Sequence, residues 1–425
     1  MTATAARSEA GEQLITPARV GFWLSVFIVL TFSQGWTMII AGPDGDVSAS
    51  AAIRNLFVPA YLVGLGLAMV RPWSIAQGAL REPLVWVLMA IAAASTFWSV
   101  DPDTTSRRAL AVIFTALGGL VIATRYDWEE LSEVLATSFL ILAIASFGVG
   151  LLLPRYGVMT ELFPGAWRGV FQEKNALGNY MTQGFLIMAA AAVLNPPHRR
   201  RWMAGCALAV LLILLSRSKT SLVTVMLAAS ALTFVGIVRK GGPVVAVLAT
   251  FAAVTTASAL AMAVFLAPDA FFALLGKDAT FTGRKQIWEA IERLDAARPL
   301  TGYGYGAIWT NKDNWSPLAR IVKEAKFLPH EAHSTWLEAR LGLGDIGLCA
   351  WSALLAGLWV KTLWATYRSR GAYLALPFVA VFSVAAFDES IGFVYNDILW
   401  VIFVAIATRL ALPASVRADP PRAPA

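Results

Sequence analysis

A series of long apolar runs, none with strand-like alternation, limits this chain more than any other feature. Runs near 20–42, 55–70, 84–100, 108–124, 132–153, 176–194, 202–215, 220–238, 244–266, 342–364, 372–387 and 391–412 each approach the length of a bilayer crossing. A helix needs about 20 apolar residues to span the hydrocarbon, and shorter runs are completed by their flanks or by local thinning. Inside lipid every backbone N–H and C=O must be satisfied within its own segment, so such a run can only be helical; a barrel strand would alternate. The sequence therefore predicts an all-α, polytopic integral membrane protein with about twelve transmembrane helices. Composition agrees: 58% of the residues are hydrophobic and 14% charged, far from the balance of a soluble chain.

The first run is too long for a signal-peptide core and follows a polar head, so it reads as a retained anchor; the small residues SASAA at 48–52 are not expected to be a cleavage site. Cys206 and Cys349 lie inside apolar runs and read as packing residues. Net charge is +7, but its distribution is more informative. If the chain starts inside, the cytoplasmic segments hold Arg7, Arg19, Arg71, Arg81, Arg125, Arg199 to Arg201, Arg239, Lys240, Lys361, Arg368, Arg370, Arg409, Arg417 and Arg422. The alternate short loops hold roughly half as many basic residues, and short-loop bias sets orientation. The expected organisation is a cytoplasmic tail over 1–19 and a bundle of about nine helices over 20–266. A large periplasmic loop over 267–341, C-terminal transmembrane helices over 342–412 and a cytoplasmic tail over 413–425 follow.

That topology gathers costly residues on one side of the membrane. Arg168 and Lys174 lie in WRGVFQEKNALGNY (167–180), and Arg217 and Lys219 lie in LLSRSKTSL (214–222). Arg284 lies in TFTGRKQIW (280–288), His330 and His333 in FLPHEAHSTWLEARLG (327–342), and Asp388 and Glu389 in AAFDESIGF (385–393). Ionisable groups at membrane depth cost roughly 2.5 kcal/mol or more and mark functional sites by default. Arg168 and Lys174 could also be headgroup anchors, and Asp388 and Glu389 loop acids or ion partners of the arginines. Arg217 resists such a reading, because a tight turn favours Gly, Asn or Pro over Arg-Ser-Lys.

In the long loop, Ile287, Trp288, Ile291 and Leu294 recur at helical spacing, with Glu289, Glu292, Arg293 and Asp295 on the other side. This amphipathic helix should lie on the membrane boundary or pack on the bundle. TGYGYGAIW (301–309) reads as a glycine turn where a substrate can come close to the backbone. In HEAH the histidines stand at i and i+3, not the i and i+4 of a zincin, and Glu331 between them should point elsewhere, so no metal is expected. Thr335 and Glu338 form a capping box that opens the next helix. His333 would then sit at a helix N-terminus, whose dipole disfavours imidazolium, and should be neutral, as a general base must be. His330 reads as an interface residue. Grouped arginines with one neutral histidine suit a diphosphate-bearing lipid substrate. No nucleotide motif and no nucleic-acid site is visible.

Four motifs in order, R-G-x-F-x-x-K-N-x-L-G at 168–178, S-R-x-x-x-S at 216–221, G-R-x-x-x-W at 283–288 with P-L-x-G-Y-G-Y-G at 299–306, and A-H-S-x-x-L at 332–337, resemble the O-antigen ligase and repeat-unit polymerase superfamily. Within it the chain most resembles ExoQ-type exopolysaccharide polymerases. The resemblance implies metal-independent, inverting glycosyl transfer at the periplasmic face of a bacterial inner membrane, without a cofactor. It implies a donor oligosaccharide on undecaprenyl pyrophosphate, with a flippase and a chain-length regulator as partners. Arg217 and Arg284 match the family's essential arginines and His333 its catalytic histidine. Arg168 matches a position often basic, and Asp388 an acid near the final spans; Lys174, Lys219 and His330 complete the expected binding residues. Ser334 stands where the family commonly has Asn, a departure on the acceptor side. Ligation to another acceptor is the alternative within the family, and a transporter or flippase of lipid-linked sugars the alternative outside it. Transporters, however, set ionisable residues in broken helices at the midplane of repeated halves.

Overall fold

The computed structural model describes residues 16–42, 51–161, 163–266, 284–310, 313 and 316–413. Residues 267–283 of the long loop, with Gly283, lie outside the described residues, as do both chain ends and residues 48–50 of SASAA. The described chain is all-α; beyond helices it has one isolated bridge, Val158 to Trp167. Each apolar run becomes helix over most of its length, and polar or proline residues mark the starts. Asp101 accepts from the Thr104 amide ahead of Pro102–Arg125, Asp127 from Glu130 ahead of Trp128–Leu152, and Ser218 from Ser221 ahead of Lys219–Lys240.

Length and composition confirm fewer than the expected twelve crossings. Among the described residues seven helices are long and apolar enough to cross a membrane, or eight if Pro72–Arg81 and Pro83–Trp98, bent by 90°, make one span. Pro17–Phe32, Ala372–Asp388 and Ile398–Ala411 are apolar but shorter, and Arg199–Ser216 opens on three arginines. Runs counted on hydropathy ignore the prolines and caps that divide them.

The main core is aromatic where the last helices meet. Trp351 packs on Phe382 and Phe403 at centroid distances of 6.2 and 5.5 Å, and Trp400 stacks on Phe403 at 5.1 Å. Gly242–Leu266 is the opposite case: Val244, Val247, Leu248, Phe251 and Val254 are all exposed, a surface suited to hydrocarbon.

The long connection between Gly242–Leu266 and Thr335–Arg368 has a core of its own. Ile287, Ile291 and Leu294 are buried with Tyr303, Ile308, Leu318, Ile321 and Ala332. The amphipathic helix Arg284–Asp295 is thus packed on protein, with Glu289, Glu292 and Arg293 outward. Asp295 departs from the expected polar face. It is 2% exposed and lies 3.8 Å from Arg340 Nε, because the last turn of this helix rests on Thr335–Arg368. The glycine turn is also spent on packing. The Gly304 amide donates to the Gly342 carbonyl at 2.9 Å, and a Cβ on Gly304 (φ 100°) would stand 2.2 Å from Ser99 Oγ. The backbone that comes close here is the chain's own, not a substrate's.

That docking breaks the next helix. Gly344 has φ 66° and ψ −164°, and the amide freed at Asp345 donates to the Pro299 carbonyl at 2.7 Å. Residues 335–343 therefore form a leading helical piece before the apolar stretch, and His333 sits ahead of that piece.

Candidate active site

Two corners hold the residues singled out by sequence. The first is built on the turn between Arg199–Ser216 and Lys219–Lys240. Arg217 closes the former helix in the left-handed conformation (φ 52°, ψ 28°), and its guanidinium donates to the Pro164 carbonyl at 3.2 Å. The turn is seated on Lys174–Leu194 at Gly178, where a Cβ would stand 2.3 Å from Ser221 Oγ. The shared spacing of the two motifs, Gly178 and Ser221, records that close approach. Lys174 lays its ammonium over the Phe163 ring at 3.8 Å and lies within electrostatic reach of Arg217 and Lys219. Arg168 is engaged elsewhere. Its Nε donates to the Tyr156 carbonyl at 2.7 Å and Nη2 to the Arg155 carbonyl at 3.4 Å, stapling the 154–157 turn.

The second corner joins the two ends of the long connection. Arg284, the first described residue of its helix, donates to the Asp388 carbonyl at 2.7 Å and to the Asp388 carboxylate, while Nη2 reaches Glu389 Oε1 at 3.3 Å. The other oxygen of Glu389 lies 3.5 Å from His333 Nδ1, and Glu331 Oε1 lies 3.0 Å from the same nitrogen. Arg284 and His333 thus meet across one carboxylate. Glu331, expected to point away, points at His333. Glu331, His333 and Glu389 offer ligand atoms within 4.8 Å of one another, so these are the described residues that could hold a metal ion.

Local bonding fixes the histidine. The residue before it, Ala332, is fully buried; its carbonyl accepts from Trp288 Nε1 at 2.8 Å and its amide donates to Glu338 Oε1 at 2.7 Å. Glu338 also accepts from Trp309 Nε1 at 3.0 Å. After the histidine, the Ser334 amide donates to Ser390 Oγ, and Thr335 Oγ1 donates to the Glu389 carbonyl while accepting from the Ile391 and Gly392 amides. The expected capping box is therefore displaced by one residue. Ser334 is the N-cap and makes no side-chain cap bond, Thr335 binds the 389–392 strip, and Glu338 reaches back to Ala332. His333 itself has φ 51°, a left-handed backbone rare for a residue with a Cβ.

The electrostatics overturn the expected neutral imidazole. His333 is raised to about 9, first by contact with Glu331 and then by Glu389, while burial and Arg284 pull the other way. Two carboxylates outweigh one helix terminus. Glu173, which caps Lys174–Leu194, is pushed above the usual carboxylate range by burial and by Glu389 and Glu331. It joins the two corners in space: Lys174 faces the Arg217 side, and Glu173 the Arg284 and His333 side. Asp388 and Glu389 are indeed ion partners of an arginine. His330 is exposed. Sequence reasoning gave Glu173 no role and turned Glu331 away from the histidine; Glu173 lies within the first motif and Glu331 just ahead of the last.

Comparison with known proteins bears on the same stretch. Residues 204–352 match the family described as O-Antigen ligase, a span holding Arg217, Lys219, Arg284, His330 and His333. The exopolysaccharide production protein ExoQ of Rhizobium meliloti (strain 1021) is 28% identical over 278 residues, 62% of this chain; the match spans 61% of that relative's length. The chain is thus a multi-pass, all-α membrane protein similar to O-antigen ligases over 204–352 and to the ExoQ relative over a longer stretch.

Proposed function

We propose that the chain is a glycosyltransferase that polymerises undecaprenyl-pyrophosphate-linked oligosaccharide repeat units in exopolysaccharide or O-antigen biosynthesis. It would work at the periplasmic face of a bacterial inner membrane, with both termini cytoplasmic. The observation that carries the reading is the meeting of Arg284 and His333 across Glu389, within reach of the Arg217 corner through Glu173 and Lys174. Guanidinium groups suit a diphosphate, which they grip with a planar fork. An imidazole beside them suits an acceptor hydroxyl.

The step is a single displacement with inversion. The acceptor oxygen attacks the anomeric carbon as its proton passes to His333. The bond from that carbon to the diphosphate breaks, and its electron pair leaves on the lipid. Arg217 and Arg284 receive the developing charge, the larger contribution in reactions of this kind. Neutralisation by guanidinium makes the reaction metal-independent. Arg284 must first release Asp388 and Glu389, so donor binding and opening of that corner are one event. Arg168, Lys174, Lys219 and His330 would flank the donor, and a flippase and a chain-length regulator are the partners such a reaction implies. Transfer to a lipid or protein acceptor would use the same step.

Purified full-length chain given lipid-linked oligosaccharide from cells lacking it should form polymer, and EDTA should leave the rate unchanged. Loss of polymer in EDTA with recovery on added divalent cation would end the metal-independent mechanism. Labelling of a cysteine placed at Thr310 by a membrane-impermeant reagent in intact cells should succeed, and protection there would reverse the topology.

A further inference from the structure

We infer that Glu331 is the positioning partner of His333: its carboxylate takes Nδ1 and turns Nε2 to the acceptor hydroxyl. The inference rests on the glycosyl-transfer reading above. Nδ1 is shielded from solvent and has no directed hydrogen bond among the described residues, and the nearer of the two carboxylates facing it is Glu331, with Oε1 at 3.0 Å. That is hydrogen-bond length, so a turn of the ring converts the ion pair into a bond. Glu389 is the weaker candidate, because it stands at 3.5 Å and its other oxygen is engaged by Arg284. The backbone between the two partners cannot drift, since Ala332 is held at both its amide and its carbonyl.

A carboxylate on one imidazole nitrogen fixes the tautomer, leaving the other free to accept a proton, and it stabilises the imidazolium that forms. In this step the acceptor proton goes to Nε2 while Nδ1 keeps its own proton against Glu331. The new oxygen–carbon bond and the departing diphosphate balance the charge. The charged groups facing His333 are Glu331, Glu389, Glu173 and Arg284, and Glu331 is the nearest of the carboxylates.

Two readouts on the full-length chain test this. First, the ring nitrogens of His333 are followed by NMR in ¹⁵N-histidine-labelled protein, which holds three histidines and is assignable by single variants. Glu331→Gln should lower the titration midpoint by about 1–3 pH units, the effect of removing an adjacent opposite charge. Second, the rate of polymer formation is measured against pH. A base must be neutral, so activity climbs as pH rises through the His333 midpoint. In Glu331→Gln the climb should move to lower pH by the same interval. The alkaline plateau should fall by less than the roughly 10²–10⁴-fold that loss of the base costs. An unmoved NMR midpoint overturns the pairing. A moved midpoint with an unmoved climb overturns the catalytic role of Glu331 and leaves the pair structural. Full activity in His333→Ala overturns instead the underlying reading, whatever Glu331 does.

Discussion

At the turn of Arg217 the guanidinium is exposed and, among the described residues, forms no ion pair; its hydrogen bond there goes to the Pro164 carbonyl. At the other corner Arg284 is enclosed by Asp388 and Glu389, and His333 by Glu331 and Glu389. The first corner is net positive and open to an anion. At the second, the carboxylates outnumber the cations and keep the histidine charged. Under the proposed function, a diphosphate would meet attraction at one side and competition at the other, and would displace carboxylates from Arg284 most readily once Arg217 had engaged it. Binding would then be ordered, and holding the donor would be separate from activating the acceptor.

The largest test falls on the second corner. Replacing His333 by Ala should cut polymer formation by about 10²–10⁴-fold, while His330→Ala retains most activity, because among the described residues no carboxylates gather on its exposed imidazole as they do on His333. Accumulated lipid-linked repeat units would accompany the loss. Near-normal polymer from His333→Ala would remove the proposed base. Next in size is Arg284→Lys. One ammonium cannot grip the departing diphosphate as the fork does, and a lost charge-assisted bond of roughly 1.5–3 kcal/mol corresponds to about 10–100-fold in rate. Arg217→Lys should raise the donor concentration needed for half-maximal rate more than Arg284→Lys does. Equal effects of the two lysine variants on both parameters would abolish the distinction between the corners.

A smaller effect concerns the frame of the second corner. Asp295 is raised to about 6, chiefly by burial, with Arg340 at 3.8 Å opposing. An acid whose folded value is raised favours folding in its protonated form. Its contribution is therefore greatest below the unfolded value near 4 and is lost as pH rises through about 6. Hydrogen exchange in Arg284–Asp295 should slow between pH 7 and pH 5 beyond the intrinsic change. Asp295→Asn should flatten that dependence while slowing exchange at pH 7, by an amount equivalent to about 1–3 kcal/mol. Faster exchange at pH 7 in the Asn variant would mean that the Arg340 contact outweighs the burial.

The sequence made the helical, multi-pass architecture legible because lipid leaves apolar segments no other choice, and each of the twelve runs is built on helix. The number of crossings was less legible, since hydropathy does not register the break at Pro72 and Pro83 or the shortness of the helix at Ile398–Ala411. Arg217, Arg284 and His333 were legible as costly charges near membrane ends. The charge state of His333 was not. A helix terminus is a local feature that sequence can place, whereas Glu389 comes from a segment 56 residues away, across a further helix. Glu331 lay in plain view, yet its direction depends on the left-handed turn at His333, which nothing in HEAHST announces. The glycine turn misled for the same reason: its partner, Ser99, lies about 200 residues back in the chain.

The smallest expected effect is the one that best separates the needs of the fold from those of the chemistry. Arg217 and His333 both occupy left-handed backbone, where a side chain costs roughly 1–2 kcal/mol and glycine is at ease. At position 217 the side chain is exposed, so little packing opposes its removal. Arg217→Gly should relieve the backbone cost but return roughly 0.5–1 kcal/mol through the freer unfolded chain. The net gain in stability is then below about 1 kcal/mol, seen as a slightly higher thermal midpoint in detergent alongside lost polymer formation. Gly178 and Ser221 still seat the turn, so the fold should be unchanged. A lower midpoint would mean that the Pro164 contact is what the arginine is for, and the open corner would then be a structural staple. A raised midpoint with full activity would free the chain of Arg217 altogether and leave Arg284 to receive the diphosphate alone.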